Sequence, residues 1–140
     1  KVLRALQENK ITRVGGEKDL RINARVVAAT NKDLRKEIDN GNFREDLYHR
    51  LSVILIHVPS LNERRDDIPL LAEHFLTMVC ADHGIQRKEF TEGAVEELKA
   101  INWSGNIREL RNIVERLVIL CGKTITDEDV KSFSNPKVGA

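Results

Sequence analysis

The sequence predicts an α/β fold in which the end of a parallel-sheet unit, residues 1–64, is followed by a small helical bundle, residues 65–133, and a flexible tail, 134–140. Two observations carry the first half. "ARVVAAT" (24–30) and "SVILIHVPSL" (52–61) are apolar runs without alternation, the pattern of strands covered on both faces, and helical material separates them as in a βαβ unit. The third observation is a change of grammar near residue 65, after which apolar residues recur at helical spacing between capping residues.

Taken in order, "KVLRALQE" opens with Val2, Leu3 and Leu6 on one face and no capping residue ahead of them, so the chain reads as a piece of a longer protein. "ITRVGGEKDLRINARVVAAT" offers β-branched residues interrupted by Gly15 and Gly16: a short strand, a turn, and a return along 24–30 that ends at Thr30 and Asn31. Ligands of open α/β sheets sit at this carboxyl edge of the strands. "NKDLRKEIDNGN" is a short polar helix closed by Asn40 and Gly41. Wound as a helix, "GNFREDLYHRL" (41–51) places Phe43, Leu47 and Leu51 on one apolar stripe, with Arg50 at its edge and Arg44 beside it. The next apolar run is stopped by Pro59.

"ERRDD" (63–67) is a charge run of mixed sign, read as a solvated hinge or helix entry. A helix follows, with Asp66 and Asp67 before it, Pro69 in its first turn and Gly84 just past its end. Thr91 is placed to cap a second helix, "TEGAVEELKAI". In "NWSGNIRELRNIVERLVILCG", Asn106 and Glu109 have capping-box spacing, and apolar residues from Ile107 to Val118 keep the helical period until Gly122. A last helix starts at Thr126, with Asp129 three residues on. Trp103 is expected to anchor the core between these helices.

Composition narrows the function classes. With 23 basic and 22 acidic residues the net charge is +1, which gives no global attraction to nucleic acid or an anionic membrane. No apolar run approaches the roughly 20 residues of a membrane span and no signal-peptide core opens the chain, so a cytoplasmic location without membrane contact is expected. Cys80 and Cys121 stand apart in apolar helical contexts, as reduced thiols do, and the four histidines show no ligand spacing, so no metal site is expected.

Four polar residues stand out. Asn31 closes an apolar run, where it serves either as a turn residue or as a neutral amide that orients a water or a phosphate oxygen. Arg108 sits in the first turn of a capped helix, where a cation opposes the dipole by roughly 0.3–1 kcal/mol unless an anion comes near. Arg44 and Arg50 could cover apolar surface while pairing with Glu45 or Asp46, or could be held out to meet phosphate oxygens. Periodicity leaves both readings open.

Five stretches settle the family by resemblance. "RVGG" (13–16), "VVAATNKDL" (26–34), "GNFREDLYHRL" (41–51), "PSLNERRDDIPLLAEHFL" (59–76) and "WSGNIRELRNIVERLVIL" (103–120) occur in the order seen in the AAA+ ATPase domain of sigma-54-dependent transcriptional activators. The chain resembles the C-terminal portion of that domain, the end of its P-loop-type sheet unit plus its helical lid. The resemblance implies that Asn31 is the sensor I asparagine, that Arg44 and Arg50 are arginine fingers, and that Arg108 is the sensor II arginine. It further implies ATP with magnesium between neighbouring subunits of a homo-oligomeric ring, usually a hexamer, and the sigma-54 RNA polymerase holoenzyme as partner. Fingers from one subunit would reach the γ-phosphate held by the next.

Two residues depart from the family pattern. Ser104 stands where proline is usual, which should loosen the turn before Arg108, and Asn62 stands where arginine is usual, which removes a charge near the hinge. The 140 residues contain no GxxxxGK[ST] phosphate loop, no strand ending in Asp-Glu and no GAFTGA loop, parts expected to precede Lys1. This chain alone is therefore expected neither to bind ATP tightly nor to hydrolyse it. DNA would be reached only through a helix-turn-helix domain that is likewise not among these residues. The rival reading of residues 91–117 as a DNA-binding helix-turn-helix is weakened by Glu109 and Glu115, which offset the arginines, and by the helix's heavy apolar content. A non-catalytic interaction scaffold is the remaining alternative.

Overall fold

The computed structural model describes residues 2–134, a mixed α/β chain that is mostly helical and that divides into two compact units at His57 and Val58. The expected flexible tail lies outside the described residues beyond 134.

The first unit begins with α1 (Val2–Glu8), turned by Asn9 in the left-handed region at φ 51° into a hairpin. Its strands, β1 (Lys10–Thr12) and β2 (Asp19–Arg21), pair antiparallel with Ile11 opposite Leu20. The predicted strand, turn and return are present, but the return is Asp19–Arg21 and not 24–30. Helix α2 (Leu34–Asp39) is capped by Asp33, whose carboxylate accepts from the amides of Arg35 and Lys36, and it ends at Gly41 with φ 74°. Helix α3 (Glu45–Leu51) follows and packs on α1.

Neither apolar run forms a strand. Val53, Ile54, Leu55 and Ile56 are 73–82% exposed, and Val26 and Val27 are exposed as well. The physical reason is pairing. A strand exists only by exchanging hydrogen bonds with a neighbour, and among the described residues no strand lies beside either run.

The second unit holds the core. Helix α4 (Ile68–Asp82) takes Pro69 in its first turn and stops before Gly84, whose φ of 63° suits glycine. Helix α5 (Glu92–Ala100) is capped by the Thr91 hydroxyl, which accepts from the Ala94 amide at 3.1 Å. Helix α6 (Asn106–Leu120) buries Leu110, Ile113, Val114, Leu117 and Val118, the predicted stripe. A two-residue parallel pair, β3 (Glu89–Phe90) with β4 (Thr124–Ile125), leads to α7 (Asp127–Ser134). At the head of α7, Thr126 and Asp129, three residues apart, close a capping box, with the Asp129 carboxylate accepting from the Thr126 amide at 2.8 Å. Those bonds hold Asp129 below the ordinary carboxyl value. Their contribution is therefore present above the unfolded value of about 3.9 and is lost as pH falls through the lower folded one.

Trp103 is fully buried at the centre, its indole N–H donating to the Leu98 carbonyl at 3.0 Å. Cys80 is buried, and Cys121 is half-buried with its thiol pushed up by burial first and then by Asp129. No helix among the described residues is long and apolar enough to cross a membrane.

The charge run at 63–67 is not simply solvated. It folds as two 3₁₀ turns, Leu61–Glu63 and Arg65–Asp67, and the Arg65 guanidinium donates to the carbonyls of Lys99 and Ile101 and to the Asn62 side chain. A cation thus caps the C-terminus of α5, where the dipole favours it. Arg65→Met is expected to lower the stability of this unit by about 2 kcal/mol, since hydrogen bonds from a charged group are each worth roughly 1.5–3 kcal/mol and partly buried carbonyls would lose their donor. A urea titration followed by the fluorescence of Trp103 reads this directly. An unchanged midpoint would show that water replaces the guanidinium without cost.

Candidate functional site

Arg44 occupies the N-cap position of α3, in extended conformation, and its mostly exposed guanidinium forms two parallel bonds to Asp46, at 3.0 Å from Nε and 2.6 Å from Nη2. The Asp46 carboxylate also accepts from the Leu47 amide at 2.8 Å. Its hydrogen bond raises Arg44 above the ordinary guanidine value, and the same bond is the main reason that the Asp46 carboxyl is held low. Both groups face water, so salt screens the pair and a phosphate could displace the carboxylate.

Arg50 differs. It is exposed in the last turn of α3 and has no ion pair or hydrogen bond among the described residues. Beneath it the predicted ridge of Phe43, Leu47 and Leu51 is half-buried. Tyr48, also half-buried, has the Arg35 guanidinium 5.6 Å from its ring centroid, a cation–π contact between α2 and α3. A braced helix therefore presents one committed arginine at its start and one uncommitted arginine at its end.

Asn31 lies exposed in a bend ahead of α2, next to Thr30, whose hydroxyl accepts from the Lys32 amide at 3.1 Å. It does not close a paired strand. Arg108 belongs to the second unit, exposed in the first turn of α6 and likewise without a partner among the described residues. No acidic side chain among the described residues pairs with it: the Glu109 carboxylate turns back to accept from the Gly105 amide at 2.8 Å. Gly105 is needed for this turn, since a Cβ would come within 2.8 Å of Glu109 Cβ.

The expected capping box between Asn106 and Glu109 is not made: the N-cap is Gly105, and it is the Gly105 amide that the Glu109 carboxylate serves. Asn106 does not cap its own helix. Its side-chain oxygen accepts from the Leu61 amide at 2.8 Å, and its backbone is left-handed, with φ 54°. Asn62 is a second residue that local reasoning undervalued. Its oxygen accepts from the Trp103 amide at 2.9 Å and its nitrogen donates to the Asn102 side chain at 2.9 Å. The arginine usual at this position could donate but not accept, so the departure exchanges a charge for a two-way clamp on the turn before α6.

These placements can be compared with known proteins. Residues 1–57 match the family model of the Sigma-54 interaction domain, and residues 62–136 match that of the AAA+ ATPase lid domain. The chain belongs to the AAA+ family of sigma-54-dependent activators. It is 45% identical over 140 residues to the nitrogen assimilation regulatory protein NtrX of Azorhizobium caulinodans, covering 100% of this chain and 31% of that protein. It is 47% identical over 121 residues to the response regulator protein PilR of Pseudomonas aeruginosa, covering 86% of this chain and 27% of the relative. Among solved structures, NtrX from Brucella abortus in complex with ATP superposes with a TM-score of 0.84 at 40% identity, over 91% of this chain and 31% of that one. The structure of the same protein in complex with ADP gives 0.83 at 41% identity, over 91% and 30%. The chain therefore spans less than a third of these activators. Asn31, Arg44 and Arg50 fall in the sigma-54 interaction match, and Arg108 falls in the lid match.

Proposed function

We propose that this chain is the sensor, finger and lid portion of a cytoplasmic ring ATPase that remodels the sigma-54 RNA polymerase holoenzyme. In this reading Arg44 and Arg50 act on ATP held by the neighbouring subunit of a hexamer, while Asn31 orients the attacking water and Arg108 meets the phosphates. The observation that carries it is Arg50: a planar, permanently charged donor, exposed and uncommitted, on a helix braced by a half-buried ridge. The mixed charge of the polar side of α6, where Glu109 and Glu115 offset Arg108, Arg111 and Arg116, argues against the helix-turn-helix alternative, because a recognition helix meets phosphates with net positive charge.

Among the described residues no group of three or more His, Cys, Asp or Glu side chains could hold a metal ion. Magnesium would have to be held by residues outside this chain, and no step here is routed through it. The roles left to these residues are electrostatic: positioning the phosphates and countering charge that spreads over them as the bond breaks.

A titration separates the parts. The 140-residue chain should bind a fluorescent ATP analogue at least about 100-fold more weakly than the full-length protein, because RT ln 100 of about 2.7 kcal/mol is a modest loss when backbone donors to the phosphates are missing. Equal affinity of the two would place the nucleotide site within this chain and overturn the assignment.

A further inference from the structure

We infer that Asn106 is a positioning residue for Arg108, fixing the first turn of α6 to the segment through which the chain enters the helical unit. The inference rests on the proposed role of Arg108 and adds to it a residue that does not touch the nucleotide.

Three observations meet at Asn106. It opens α6 in the left-handed region, at φ 54°, a conformation that asparagine tolerates better than most side chains. Its side chain is not spent on capping, since Glu109 already serves the Gly105 amide. The oxygen instead accepts from the Leu61 amide, 45 residues earlier in the chain, at 2.8 Å. Leu61 is fully buried and the next residue, Asn62, grips the Trp103 amide. The turn that precedes Arg108 is thereby tied at both ends to residues 61 and 62.

Arg108 lies two residues beyond this tie. A first helical turn without tertiary support frays, and a side chain carried on it samples many directions. The bond from Leu61 selects one, so a phosphate finds Arg108 already aimed. By reciprocity, a phosphate on Arg108 strengthens the tie.

The test uses the full-length protein and binding of a fluorescent ATP analogue. Asn106→Gly removes the acceptor while keeping the left-handed backbone accessible. It should weaken binding about 3- to 10-fold, the scale of one lost hydrogen bond. Arg108→Ala should weaken binding at least as much, and the double variant should match Arg108→Ala alone, because Asn106 acts only through Arg108. Multiplying effects, or an unchanged affinity in Asn106→Gly beside a weakened Arg108→Ala, would overturn the positioning role and leave the role of Arg108 standing. An unchanged affinity in Arg108→Ala would remove the proposed role of Arg108 and this inference with it. A measurement on the unaltered protein does not depend on any variant folding: saturating ATP should slow hydrogen exchange at the Leu61 amide several-fold. An exchange rate indifferent to ATP would overturn the coupling.

Discussion

Arg50→Ala in the full-length protein is expected to lower ATP turnover by about 10³- to 10⁵-fold while leaving ATP affinity within a few-fold of its original value. The split follows from the role proposed for Arg50. A guanidinium that arrives from a neighbouring subunit contributes when charge spreads over the transferring phosphoryl oxygens, so its loss falls on kcat and not on ground-state binding. Arg44→Ala should move in the same direction. The structure separates the two, however, because Arg44 must first release Asp46 and Arg50 releases nothing. The decisive measurement mixes subunits. In the proposed ring, Arg50→Ala subunits mixed with subunits disabled in the phosphate-binding loop that the family resemblance implies should recover activity that neither population has alone. An Arg50→Ala protein with less than a tenfold loss would reduce Arg50 to a surface cation, and failure to complement would place its action within its own subunit.

What could be read from the residues beforehand divides by the range of the interaction. Thr91, Pro69, Gly84 and the Thr126–Asp129 box were legible because a cap or stop signal is satisfied within four residues of itself. The stripe from Leu110 to Val118 was legible for the same reason, since periodicity is a local property. The runs at 24–30 and 52–61 have the composition of buried strands, but composition cannot supply the neighbour a strand needs, and here Val26, Val27 and the residues from Val53 to Ile56 stand exposed.

The same limit explains the site. Asp46 lies two residues from Arg44, and pairing between them was one of the two readings that spacing allowed. Asn106 looked like a cap because Glu109 follows at the right interval, yet its partner is Leu61. Arg65 looked solvated because the acceptors that commit it, at Lys99 and Ile101, are more than thirty residues away. Short-range chemistry identified which residues matter, and long-range hydrogen bonds decided what several of them do.

Trp103→Ala is the substitution expected to cost the fold most, about 3–5 kcal/mol. The indole is wholly buried among Leu61, Ile68, Leu98 and Leu110 in one apolar cluster, so truncation leaves a void that fixed helices cannot close. It also strips the Leu98 carbonyl of its donor. Set against the 5–15 kcal/mol typical of a whole domain, such a loss is enough to leave the helical unit partly unfolded near 37 °C. Trp103→Phe keeps most of the ring volume but not the N–H, and should cost distinctly less, about 1–2 kcal/mol. Because Asn62 holds the backbone of Trp103 and the chain reaches Arg108 five residues later, the alanine variant should also weaken nucleotide binding at temperatures where the helices remain formed. Urea denaturation followed by circular dichroism orders the two variants. Equal midpoints for alanine and phenylalanine would mean that the core collapses into the void, and that the fully buried ring is not what holds α5 and α6 in place.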